Sequence, residues 1–102
     1  MAIRTTLRFV RPSTSIAWNE PLIDNATLKN YWTTTYRDSG KITEWSKSDS
    51  ADGLIRTMIC VFANTAARQE YQKDSTIQAM MNTRDTYNID NGITFEFSDE
   101  ET

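Results

Sequence analysis

Histidine is absent from the chain. With it go the usual general base near neutral pH, the usual proton shuttle and the commonest metal ligand. Catalytic triads and dyads that need an imidazole are excluded. Cys60 is the only cysteine, so an internal disulfide is impossible, and no zinc or other transition-metal site can be assembled from Cys and His. Only three glycines are present, and no phosphate-cradling glycine loop can be drawn from them. No apolar run approaches the ~20 residues that a membrane-spanning helix needs. The opening Met1-Ala2-Ile3-Arg4 carries no signal-peptide core. A cytosolic protein is therefore expected, with no cofactor, no metal and no membrane partner.

What remains is an ordinary globular composition, with 38% hydrophobic and 25% charged residues in 102. That length predicts a single domain over residues 1–102, small enough to gain from a partner chain. The net charge of −3 gives no pull toward nucleic acid or anionic membrane. Cys60, between Ile59 and Val61, reads as a buried thiol rather than a nucleophile.

The order of the hydrophobic rhythms is the most informative feature. Ala2–Val10 alternates, with Ile3, Thr5, Leu7 and Phe9 on one side and Arg4, Thr6 and Arg8 on the other. About Asp24 to Asp38 reads as a helix, in which Leu28, Tyr31, Trp32 and Thr35 share a stripe. The three consecutive threonines at 33–35 weaken it. Lys41–Ser48 is polar and predicts an edge strand, with Ile42 on one face and Thr43 and Trp45 on the other. Leu54–Ala63, apolar on both faces, predicts a central strand. Thr65 to about Asn88 reads as helical with a break at Asp74, and Ile93–Phe97 as the last strand. Ser98–Thr102 reads as a frayed acidic tail. Between Ser15 and Ile23 strand and loop signals compete, and an ordered loop pinned by Trp18 is expected, with Pro21 suited to a first helical turn.

This β-α-β-β-α-β order resembles the ferredoxin-like α+β sandwich, a four-stranded antiparallel sheet with both helices on one face. The other sheet face would be left mixed: Arg8 and Glu96 would pair across neighbouring strands, beside apolar groups of the third strand. The chain is thereby similar to the dimeric α+β barrel group, in which two such sheets pack face to face. That group includes antibiotic-biosynthesis-type and heme-degrading monooxygenases. The resemblance implies a homodimer.

Two functions compete. The first is a non-catalytic homo-oligomeric module that binds a protein or a small molecule; short chains rich in Ser, Thr and Asn are similar to phage accessory proteins. The second, implied by the resemblance, is a cofactor-free monooxygenase acting on an aromatic substrate. Its pocket candidates are Trp32, Tyr36 and Trp45, with Arg8 as anion partner and Asn64 as hydrogen-bonding group. Each has a plainer role: core for Trp32 and Tyr36, edge cover for Trp45, surface ion pair for Arg8, helix cap for Asn64. The heme-degrading branch combines Asn, Trp and His, and the missing His removes it. The balance falls on the non-catalytic module. RNA-recognition domains share the topology but need a Lys/Arg-Gly-Phe/Tyr motif that is missing here. Glu70 and Asp74 read as a solvated helix face.

Overall fold

The computed structural model covers residues 1–102. Four strands, β1 (Ile3–Val10), β2 (Ile42–Asp49), β3 (Ile55–Phe62) and β4 (Thr94–Glu101), form one antiparallel sheet in the order β2-β3-β1-β4. The helical segments are α1 (Pro21–Asp24), α2 (Ala26–Trp32), a π-wound continuation over Thr33–Arg37, α3 (Thr65–Lys73) and α4 (Ser75–Asp90). The fold is ferredoxin-like, with β3 in the centre as its two apolar faces predict and β1 beside it, as the ferredoxin-like resemblance implies.

Strand alternation divides the sheet into two faces. On the helix-covered face, Ile3 lies opposite Phe62, Thr5 opposite Cys60 and Phe9 opposite Arg56. Ile3, Cys60 and Phe62 join Ile42, Trp32, Tyr36, Ala67, Tyr71, Ile77 and Met80 in one buried core. On the other face Val10, Ile55, Ile59 and Val61 run down the middle, flanked by the cross-strand pairs Arg4–Glu100 at 3.1 Å and Arg8–Glu96 at 3.6 Å. Both pairs are exposed and contribute at most about 1 kcal/mol each.

Four local outcomes differ from the sequence reading. Thr43 sits in a bulge between Ile42 and Glu44, so Ile42 and Trp45 share the helix-covered face instead of opposing it. Pro21–Asp24 form a helical turn at the end of the segment expected as a loop, and Asn25 then caps α2, as its position predicts, by accepting from the Leu28 N–H at 3.0 Å. Beyond Trp32 the helix widens, with the Asp38 N–H reaching back five residues to the Thr33 carbonyl at 2.8 Å. The wide turn coincides with the threonine run, whose helix propensity is low. Ser98–Glu101 continue β4 rather than fraying, because the Thr5 hydroxyl donates to Asp99 and Arg4 pairs with Glu100.

The wide turn gives Tyr31 and Tyr36, five residues apart, a common side. Both hydroxyls donate to Asp74 Oδ2, at 2.6 and 2.5 Å. Asp74 Oδ1 meanwhile accepts from the Thr76 and Ile77 amides at 2.8 and 3.2 Å, capping α4. Asp74 is therefore a junction between the first helical stretch and the start of α4, and not part of a solvated face. The expected break between α3 and α4 occurs at this residue.

Cys60 lies in the core, and burial pushes its thiol up to about 12. The native protein is expected to react with a thiol reagent at pH 8 far more slowly than the urea-unfolded chain. Equal rates in the two states would contradict this packing.

Candidate functional site

Between the sheet and the helices, toward the β2 edge, the core leaves a cavity of about 70 Å³. Phe9 of β1, Trp45 of β2 and Met58 of β3 form its floor, Arg84 and Asn88 of α4 stand at one side, and Trp18 to Ile23 cover it. The walls are mainly apolar. Two wider depressions, one beside Asn64 and Glu70 and one along Leu28, Tyr31 and Met80, are open surface grooves.

The covering strap is fixed by cations. Arg11 donates to the Gly53 carbonyl and to the Ile16 carbonyl, both at 2.8 Å. Gly53 has φ +74°, and a Cβ there would stand 3.4 Å from Arg11 Nη2 and from Thr14 Cγ2. The guanidinium carbons of Arg11 and Arg56 stand 4.5 and 5.0 Å from the Trp18 ring centre. The Tyr87 hydroxyl donates to the Ala17 carbonyl at 2.5 Å. Glu20 accepts from Lys47 at 3.0 Å and also pairs with Arg56, while Arg56 holds Asp49 through a two-pronged contact at 2.8 and 3.0 Å.

The Lys47 ammonium, opposed by partial burial and aided by Arg56, holds the Glu20 carboxyl below the usual range. Arg56 does the same for Asp49. A carboxyl whose folded pKa is lowered stabilises the fold above its unfolded pKa, and that contribution is lost as pH falls through the folded value. The strap is therefore expected to loosen below about pH 4. The Trp18 indole N–H resonance would report it by moving over that interval, and in Glu20→Gln it should be displaced already at pH 7. A Trp18 signal indifferent to both would show that Glu20 does not hold the strap.

Two residues that line the cavity each carry a buried polar atom without a hydrogen-bond partner: Asn19 Oδ1 from the strap and Asn88 Nδ2 from α4. Asn88 is only 2% exposed. Such orphaned amide atoms each cost about 1–3 kcal/mol unless something meets them. Every cation at the cavity is already matched, since Arg84 pairs with Asp85 at 3.1 Å. No group of three Cys, Asp or Glu side chains converges in a way that could hold a metal ion.

The five residues singled out from sequence are dispersed. Trp45 lines the cavity, and Trp32 packs edge-on against it, ring centres 6.2 Å apart, while donating from Nε1 to the Tyr71 hydroxyl at 3.1 Å. Tyr36 is buried against Tyr71, ring centres 4.8 Å apart. Asn64 caps α3 by accepting from the Ala67 N–H at 2.9 Å and borders a surface groove. Arg8 lies on the opposite sheet face. Sequence reading overlooked Asn19, Glu20, Arg56 and Asn88. Asn88 left a signal: it follows Ile77, Met81 and Arg84 at helical spacing, placing an amide on the inner stripe of α4.

No protein-family model and no curated protein matches the chain. Solved structures do match over nearly its full length. SnoaB, a cofactor-independent oxygenase from Streptomyces nogalater, is 8% identical with a TM-score of 0.65, covering 99% of this chain and 92% of its own. A proposed antibiotic biosynthesis monooxygenase from Deinococcus radiodurans is also 8% identical, with a TM-score of 0.63 and coverages of 98% and 91%. A dimeric ferredoxin-like protein of unknown function from a Jannaschia species is 15% identical, with a TM-score of 0.59 and coverages of 98% and 99%. At these identities the likeness shows the fold alone.

Proposed function

We propose that the chain is a homodimeric small-molecule-binding protein, its ligand a small, flat, mainly apolar molecule held between sheet and helices under the Trp18–Ile23 strap. The observation that carries this reading is the pair of unpartnered amide atoms, Asn19 Oδ1 and Asn88 Nδ2, on residues lining a cavity whose charged groups are already paired and whose exposed wall is mainly apolar. Apolar walls with a few convergent polar groups are the usual make-up of ligand sites. Saturation-transfer NMR with phenol and benzamide tests it. Both should receive magnetisation from the protein, and Leu22→Trp, which fills the cavity, should abolish the transfer. Undiminished transfer in that variant would place the binding elsewhere.

Dimerisation is supported by the apolar stripe Val10, Ile55, Ile59 and Val61 on the face without helices, and by the dimeric Jannaschia neighbour. Light scattering at micromolar concentration is expected to give twice the 11.7 kDa chain mass, and Ile59→Asp to give monomers. A wild-type monomer at millimolar concentration would refute the pairing.

A second reading is favoured by the SnoaB likeness: oxygenation of an electron-rich aromatic without a cofactor. In such a reaction the substrate is the reductant, and a ring CH₂ plus O₂ becomes C=O plus H₂O. The protein would then supply a dry pocket and hydrogen bonds to the developing oxyanion. Oxygen uptake equal to ketone formed, lost in Leu22→Trp, would support it; binding without uptake would leave the first reading alone.

A further inference from the structure

We infer that the ligand is neutral and carries one hydrogen-bond donor and one acceptor on a compact apolar frame, a small cyclic amide being the simplest such class. The inference rests on the cavity being a ligand site. Unspent hydrogen-bonding capacity on the cavity's lining residues supports it. Lys47 and Arg56 are matched by Glu20 and Asp49, and Arg84 by Asp85. An ionised ligand would find no free opposite charge and would have to break one of these pairs. The atoms without partners are an acceptor, Asn19 Oδ1, and a donor, Asn88 Nδ2. A lactam answers both: its N–H donates to Asn19 and its carbonyl accepts from Asn88.

Size narrows the class further. The cavity of about 70 Å³ is roughly half the ~150 Å³ of an apolar cavity that holds benzene. A single-ring molecule of six heavy atoms, such as 2-pyrrolidinone, is of benzene's size and therefore enters only as the strap lifts, and a larger frame requires a wider opening. Discrimination should be steep, because an analogue without the polar groups leaves both buried amides unmet.

The test is a ¹⁵N-detected titration of the full chain with three probes: 2-pyrrolidinone, cyclopentane and butyrate. The Asn88 side-chain NH₂ and the Trp45 indole N–H are the reporters. 2-Pyrrolidinone is expected to shift both saturably, and butyrate to shift neither. Asn88→Leu should weaken 2-pyrrolidinone about tenfold, the loss of one buried hydrogen bond. Asn19→Ala, in the strap and outside the core, should weaken it comparably and guards against a folding defect in the α4 variant. Cyclopentane binding as tightly as 2-pyrrolidinone, with neither variant affecting the lactam, overturns the neutral-amide class and leaves the cavity as a ligand site. Preferential butyrate binding overturns it too. No saturable shift from any probe, with water alone on the two amides, overturns the ligand site itself.

Discussion

Trp32→Ala is expected to lower stability by about 3–5 kcal/mol, the range for truncating a buried aromatic. Trp32 is 8% exposed, stacks edge-on with Trp45 and donates to the hydroxyl of Tyr71, which is equally buried. Its loss opens a cavity at the centre of the core and leaves the Tyr71 hydroxyl without its donor. Small domains hold only about 5–15 kcal/mol in total, so a large share of the stability goes. In urea, with a slope of about 1–3 kcal/mol per molar, the midpoint should fall by more than 1 M. Trp32→Phe separates the two contributions. It keeps most of the area, removes the indole donor and should cost less than half as much. Similar midpoints for Trp32→Ala and wild type would show that the aromatic cluster does not carry the core.

Asp74→Ala is expected to have the next largest effect, about 2–4 kcal/mol. The α4 cap accounts for about 1 kcal/mol of this. The stranded Tyr36 hydroxyl, in a side chain 1% exposed, accounts for about 1–3 more. Asp74→Asn keeps an acceptor for the cap and should cost less. Asp74 also has a pH signature. Burial opposes its ionisation, but the hydroxyls of Tyr31 and Tyr36 and the two α4 amides outweigh burial and hold the carboxyl below its usual range. Its contribution is therefore complete above the unfolded carboxyl pKa and fades as pH falls through the lowered folded value. The stability difference between wild type and Asp74→Asn should accordingly shrink below about pH 4. A difference that stayed constant from pH 7 to 3 would mean that the charged form of Asp74 contributes nothing.

The element order was legible because period-2 and period-3.6 patterns depend only on which residues face a core. Ile3 to Phe9, the apolar run ending at Phe62, and the break at Asp74 all carry such patterns. The Thr43 bulge was not legible, since a one-residue slip in the edge strand leaves its composition unchanged while moving Trp45 to the other face. The pairing of Tyr31 with Tyr36 was hidden for a related reason. A spacing of five is off-face in an α-helix and becomes same-face only through the widened turn at Thr33–Arg37. The β4 extension depended on partners about 95 positions away, Thr5 for Asp99 and Arg4 for Glu100. The candidate site was the least legible part. Trp45 was identified, but Trp18, Glu20 and Arg56 meet only through long-range ion pairs and stacking. Trp32 and Tyr36, aromatic and at helical spacing, carry the same pattern as a pocket wall but belong to the core.

The most direct measurement is a high-resolution crystal structure of the chain soaked in a single-ring neutral amide. Density for the ring is expected between Phe9, Trp45 and Met58, beneath Leu22, with its carbonyl within hydrogen-bonding distance of Asn88 Nδ2. Ordered water bridging Asn19 and Asn88, with the ring bound only in an outer groove or nowhere, would contradict a ligand site between sheet and helices.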